Sequence, residues 1–150
     1  MGTRGRSVGR CQVAVPSPVM DAVRRQLRDH ADGLVRTLAR VGIELEYDHA
    51  GVRAIDRYIE DNRALWSADD CDRMALAIGA FLGECMVAVY GGQWREDAER
   101  GPGVHLPAAD ITAFPLTKAG KHIRGDHSDS VASFFDVAGA IIAKGGIDRM

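Results

Sequence analysis

At 150 residues, 46% apolar and 27% charged, the chain has the make-up of one soluble globular domain, with a core that needs no disulfide or metal staple. Its net charge of −2 is unevenly spread: eight Arg against three Asp in residues 1–40, six Arg against fourteen acids in residues 41–110. No apolar run approaches the roughly 20 residues of a membrane span, and the basic opening MGTRGRSVGR leads into no secretory apolar stretch.

In chain order, residues 1–15 mix Gly, Ser and Arg without periodicity and read as a flexible tail, leaving 16–146 as a single compact domain. From Pro18, apolar residues recur at Val19, Val23, Leu27, Ala31, Leu34, Leu38 and Val41, the steps of one helical stripe. Ser17 is placed to cap this helix, Pro18 suits its first turn and Gly42 its end. Gly33 sits inside it at a cost of about 1 kcal/mol relative to Ala. Residues 43–47 alternate apolar and acidic, the pattern of a short strand or an extended connector. Asp48 then caps a second helix in which Val52, Ile55 and Ile59 share one face, with Tyr58 at its edge.

Ser67 and Asp70 form a capping box for a third helix over Ala68–Tyr90, with Asp69 and Asp72 favouring the positive end of its dipole. Met74, Ile78, Phe81, Leu82, Cys85 and Val89 make a wide apolar stripe; Ala75, Gly79 and Gly83 make a neighbouring stripe without bulk, open to another backbone. A helix this apolar belongs at the centre of the fold, and Gly91-Gly92 ends it. Beyond Gly92 the period becomes two. Residues 93–96, 103–106 and 110–114 read as strands of an antiparallel meander. Pro115 opens a short basic helix to Ile123, and a polar link follows with Ser128 as the expected cap. Val131, Phe134, Phe135, Ala138, Ile141 and Ile142 define a last helix. The expected fold class is α+β, mainly helical, with a small three-stranded antiparallel sheet covering one side.

The stretch Ile78-Gly79-Ala80-Phe81-Leu82-Gly83-Glu84, then Gly91-Gly92-Gln93-Trp94, is followed by Pro115-Leu116-Thr117-Lys118, Lys121-His122-Ile123 and Asp129-Ser130-Val131-Ala132-Ser133-Phe134-Phe135. Together these resemble a group of small bacterial domains of unknown function, with an LGxxLGExxxxxxGGxW helix-to-sheet motif and a PxxK…DSLxSFY-like segment. The chain departs from that pattern at Phe114, where Asn is expected, and at His122, where Arg is expected. The resemblance implies one compact domain of bacterial origin and no particular reaction.

Among polar residues, Glu84 stands out because it lies in the apolar part of the third helix. It is either a general base with a pKa raised by desolvation, or a structural group bonded to Lys118, Lys121 or Arg124. A catalytic constellation would join Glu84 with His105 and Lys118; His105 and His122 would have to meet Glu84 or Asp126 within about 3 Å for proton transfer. Tyr90, Trp94, Lys121 and His122 are the candidate binding residues, the two aromatics otherwise packing where the third helix meets the sheet. No zinc pattern arises among His30, His49, His105, His122 and His127, and none among Cys11, Cys71 and Cys85, so neither a metal nor a cofactor is expected. Reduced thiols point to the bacterial cytoplasm. Gly101-Pro102-Gly103 is a turn rather than a phosphate loop.

The early Arg residues alternate with Asp, and no aromatic precedes Tyr47, so nucleic-acid binding is not expected. The preferred reading is a non-enzymatic interaction domain, an accessory or immunity-like protein whose acidic middle meets a basic protein. The alternative is a small hydrolase or transferase using Glu84, His105 and Lys118. Self-association through the first helix, giving a homodimer, is the other partner expectation, because its Val23, Leu27, Leu34 and Leu38 need a surface to cover them.

Overall fold

The computed structural model describes residues 18–125 and 130–145. The tail 1–15, Cys11, the Ser17 cap, Asp126, His127 and the Ser128 cap lie outside the described residues. The elements are α1 (Pro18–Ala39), α2 (His49–Asn62) with a 3-10 turn (Arg63–Leu65), and α3 (Ala68–Tyr90). They continue as β1 (Gln93–Asp97), β2 (Gly101–Leu106), β3 (Ile111–Ala113), α4 (Pro115–Ile123) and α5 (Val131–Ala143). The fold is α+β and mainly helical, with one antiparallel sheet in the order β1-β2-β3.

α3 runs through the middle. Its start carries the expected box: Ser67 Oγ accepts from the Asp70 amide at 3.1 Å, and the Asp70 carboxylate accepts from the Ser67 amide at 3.3 Å. Every residue from Ile78 to Met86 is buried. Two details differ from the sequence pattern. Val89 is 36% exposed, and Met86 takes the core position beyond Cys85. Contrary to the expectation that no apolar run is long enough, α3 taken whole is long and apolar enough to cross a membrane by length and composition; half of that apolar window is buried inside the fold.

The stripe without bulk is used in two ways. A Cβ at Gly79 would lie 2.6 Å from the Leu116 Cα, so the α4 backbone does rest on α3 there. At Gly83 the neighbour is instead a side chain: a Cβ would lie 2.2 Å from the Trp94 ring. Trp94 pairs with Val104, and Val104 with Ala113, so these three set the core face of the sheet.

α1 packs on α3 with Leu27, Ala31, Leu34 and Leu38 buried. Its stripe is therefore filled within the chain, which corrects the premise that these leucines need a second copy; Val19 and Val41, at the ends of the stripe, remain 74% and 69% exposed. Residues 43–47 form a connector and not a strand. The connector crosses the first turn of α2, where a Cβ on Gly51 would lie 1.9 Å from the Glu46 carbonyl oxygen. Asp48 caps α2 by accepting from the Gly51 amide at 2.9 Å.

Candidate functional site

Glu84 is buried in α3, and both carboxylate oxygens are engaged. Oε1 accepts from Arg28 Nη1 of α1 at 3.0 Å, and Oε2 accepts from the Trp94 indole N–H of β1 at 2.9 Å. The structural alternative thus describes its contacts, but with a different partner: Arg28, 56 positions away, in place of Lys118, Lys121 or Arg124. Arg28 also bonds Asp32 one turn on, and its guanidinium lies 4.5 Å from the centre of the Tyr47 ring. The Tyr47 hydroxyl donates to Asp32. That bond is the main cause holding the Asp32 carboxyl below its ordinary range; burial opposes it and Arg28 adds to it. Burial, reinforced by Asp32, pushes the Tyr47 hydroxyl far up.

His122 is the other buried polar side chain among the described residues, at 2% exposure. Its Nδ1 accepts from the Val131 backbone N–H at 3.2 Å, so its proton sits on Nε2 and is donated to Glu60 of α2 at 2.6 Å. Asp56, one turn before Glu60, accepts from the Ala132 amide at 2.9 Å and from the Ser130 hydroxyl. Ser130, in place of the expected Ser128, caps α5 through the Ser133 amide at 3.4 Å. Three successive amides at the start of α5 are therefore met by side chains from α4, from α2 and from the cap itself.

The donor atoms of Asp56, Glu60 and His122 lie within 4.8 Å of one another, close enough to raise the question of a metal centre. The surrounding bonds have the wrong polarity for one. A metal-bound imidazole offers a lone pair to the ion and donates its other N–H outward. Here the outward nitrogen accepts an N–H, and the nitrogen facing the carboxylates carries the proton. The same geometry leaves His122 no spare lone pair for general-base work.

The remaining candidates are dispersed. His105 of β2 approaches Thr112 Oγ1 at 3.5 Å and Asp110 at 3.7 Å. Burial, then the nearby Arg95, lowers its pKa, while Asp110 opposes. The Lys118 ammonium lies 5.7 Å from the centre of the Phe134 ring, and Lys121 is exposed on α4. The two histidines are engaged elsewhere than at Glu84: His105 faces Thr112 and Asp110, and His122 faces Glu60 and the Val131 amide. Tyr90 packs away from the sheet: its hydroxyl donates to the Phe135 carbonyl of α5 at 2.8 Å, and its ring stacks on Phe135 at 4.7 Å. Burial pushes the Cys85 thiol far up, which makes it inert.

What sequence reasoning passed over is a groove of about 330 Å³ between α1 and α3. Leu34, Leu38, Met74 and Ala77 form its floor, and the Tyr58 ring stands at one side. Asp29, His30, Thr37 and Arg73 stand exposed at the rim, Arg73 paired with Asp70. Its volume lies at the lower end of small-ligand sites. The one trace of it in the sequence is Gly33, a helix-weakening residue that lines it. Comparison with known proteins finds no family model, no curated relative and no solved structure that matches this chain.

Proposed function

We propose that the chain is a non-enzymatic interaction domain of the bacterial cytoplasm that binds a protein partner through the α1–α3 groove. The observation that carries this reading is the groove itself: a cleft lined by Met74, Ala77 and the edges of Leu34 and Leu38 with a polar rim, while the buried polar side chains among the described residues, Glu84 and His122, are both engaged. An apolar anchor surrounded by polar groups is the usual anatomy of a recognition surface. The ring of Trp66, on the turn after α2, lies 5.8 Å from that of Tyr58, centre to centre, at the side of the groove, and Leu65 on the same turn is 81% exposed. Asp61 and Asp69 stand exposed on either side of that turn, which suits a basic partner.

The test is a displayed random-peptide library selected on the wild type and on Thr37→Arg, a rim substitution at an exposed position. Peptides enriched on the wild type and lost on the variant are the expected result. Equal enrichment on both overturns the reading.

A further inference from the structure

One ring, His122, ties three helices together. It stands on α4, donates from Nε2 to Glu60 of α2, and accepts the Val131 amide of α5 at Nδ1. Only the neutral imidazole does both. A protonated imidazole carries a hydrogen on each nitrogen and accepts nothing. The bond to Glu60 survives that change and gains charge. The bond to Val131 does not, because Nδ1–H then points at another N–H. Val131 is buried, so water does not reach its amide to take over. Two donors facing each other in the interior are both left unsatisfied, and each carries the cost of its lost hydration.

We infer that His122 is an acid-released latch for α5: the neutral ring holds the first turn in place, and uptake of one proton frees it. Histidine is the side chain that ordinarily changes charge between about pH 5 and 8. Asp56 and Glu60 of α2, with donor atoms within 4.8 Å of the ring nitrogen and of each other, attract a proton to it. Burial opposes, and so does Arg63 at the end of α2, which donates to the His122 carbonyl at 2.6 Å and pairs with Glu60 at 3.4 Å. Other charged groups on the elements packed against α4 are engaged elsewhere. Asp72 and Glu84 of α3 meet Arg124 and Arg28, Asp136 of α5 faces Arg53 and His49, and His105 of β2 faces Asp110. On α4 itself, Lys118 lies over the Phe134 ring and Lys121 is exposed. The bonds from Asp56 to Ser130 and to the Ala132 amide do not pass through the ring. Release is therefore local: it starts at Val131 and leaves the rest of the fold in place.

The test is amide hydrogen exchange of the full chain from pH 8 to pH 5, each rate taken relative to the free-chain rate at the same pH. The imidazole nitrogen shifts of His122 are followed over the same range. The bond is present while the ring is neutral, so protection at Val131 should be high at pH 8. It should fall by about tenfold or more by pH 5, as Nδ1 gains its proton. Ile78, buried in the middle of α3, reports global opening and should keep its protection. His122→Asn offers an acceptor that cannot titrate, and should hold Val131 protection level across the range. Level protection at Val131 in the wild type overturns the latch. A parallel fall at Ile78 also overturns it, since the acid response would then belong to the whole fold. A fall at Val131 that persists in His122→Asn gives the response to another group and overturns it as well. Should that variant not fold, the wild-type ring decides alone: loss of protection at Val131 while Nδ1 stays unprotonated overturns the inference.

Discussion

Glu84 and His122 are both buried on helices that pack together, yet they are held by different kinds of partner. Glu84 accepts from two side chains, an arginine that is half exposed and an indole. His122 accepts from a main-chain amide and donates to a half-exposed carboxylate. The first cluster sets how α1 and β1 seat on α3; the second sets where α5 begins. A side-chain partner can be replaced by water where it reaches the surface. A helix-start amide inside the fold has no such recourse. Disturbing each cluster therefore gives different signatures.

The largest effect is expected from forcing the Glu84 cluster apart sterically. A side chain at Gly83 collides with the Trp94 ring, so Gly83→Leu must displace the indole from both its packing and its bond to Glu84. A loss of about 3 kcal/mol or more in urea unfolding is expected. Unchanged or higher stability would mean that the ring moves aside freely. Arg28→Met is milder: it keeps the aliphatic stem over Tyr47 and leaves Glu84 with the indole alone. A loss of about 2 kcal/mol is expected, the cost of a buried carboxylate short of one partner. Arg28→Lys should recover part of it, and a loss near zero would show that water replaces the guanidinium.

In the second cluster, His122→Leu fills the same space and orphans the Val131 amide, at a cost of about 1.5 kcal/mol. His122→Asn places an amide oxygen where Nδ1 was. It should restore amide protection at Val131 in hydrogen exchange, whereas His122→Leu should not. If both variants protect that amide equally, the histidine is not what holds the start of α5.

These contrasts also explain what was legible beforehand. α3 could be read to its ends because its signals are local: a capping box, a run of apolar residues and a Gly-Gly stop. The three strands were legible as alternation between turns, within a residue or two at their ends. Residues 43–47 were ambiguous, since a connector whose one face is covered alternates just as a strand does; Leu45 is buried and Glu44 and Glu46 are exposed. Glu84 was legible as unusual, but not its partner, because nothing local selects an arginine 56 positions away over a nearby lysine. Asp56 and Glu60 carried a faint signal, two carboxylates one turn apart on α2, but their meaning depends on where α5 begins. The groove had no motif, because it is made by the spacing of two helices.

The smallest effect sharpens the comparison by pH. Asp32 belongs to the rim of the Glu84 cluster, and the Tyr47 hydroxyl is the main cause holding its carboxyl below the ordinary range. A carboxyl lowered in the folded state adds stability that is present above its unfolded pKa and is lost as pH falls through the folded value. Tyr47→Phe removes that cause while keeping the ring against Phe81 and under Arg28. The wild type should therefore exceed Tyr47→Phe by less than about 1 kcal/mol at neutral pH. The gap should hold down to about pH 5 and shrink as pH falls below about 4, where carboxyls in the unfolded chain take up protons. Asp32→Asn, which cannot titrate, should show no such narrowing when paired with Tyr47→Phe. Urea midpoints from pH 7 to pH 3 give the comparison directly, and a gap that stays constant across that range would show that the Tyr47–Asp32 bond does not set the acid response of this cluster.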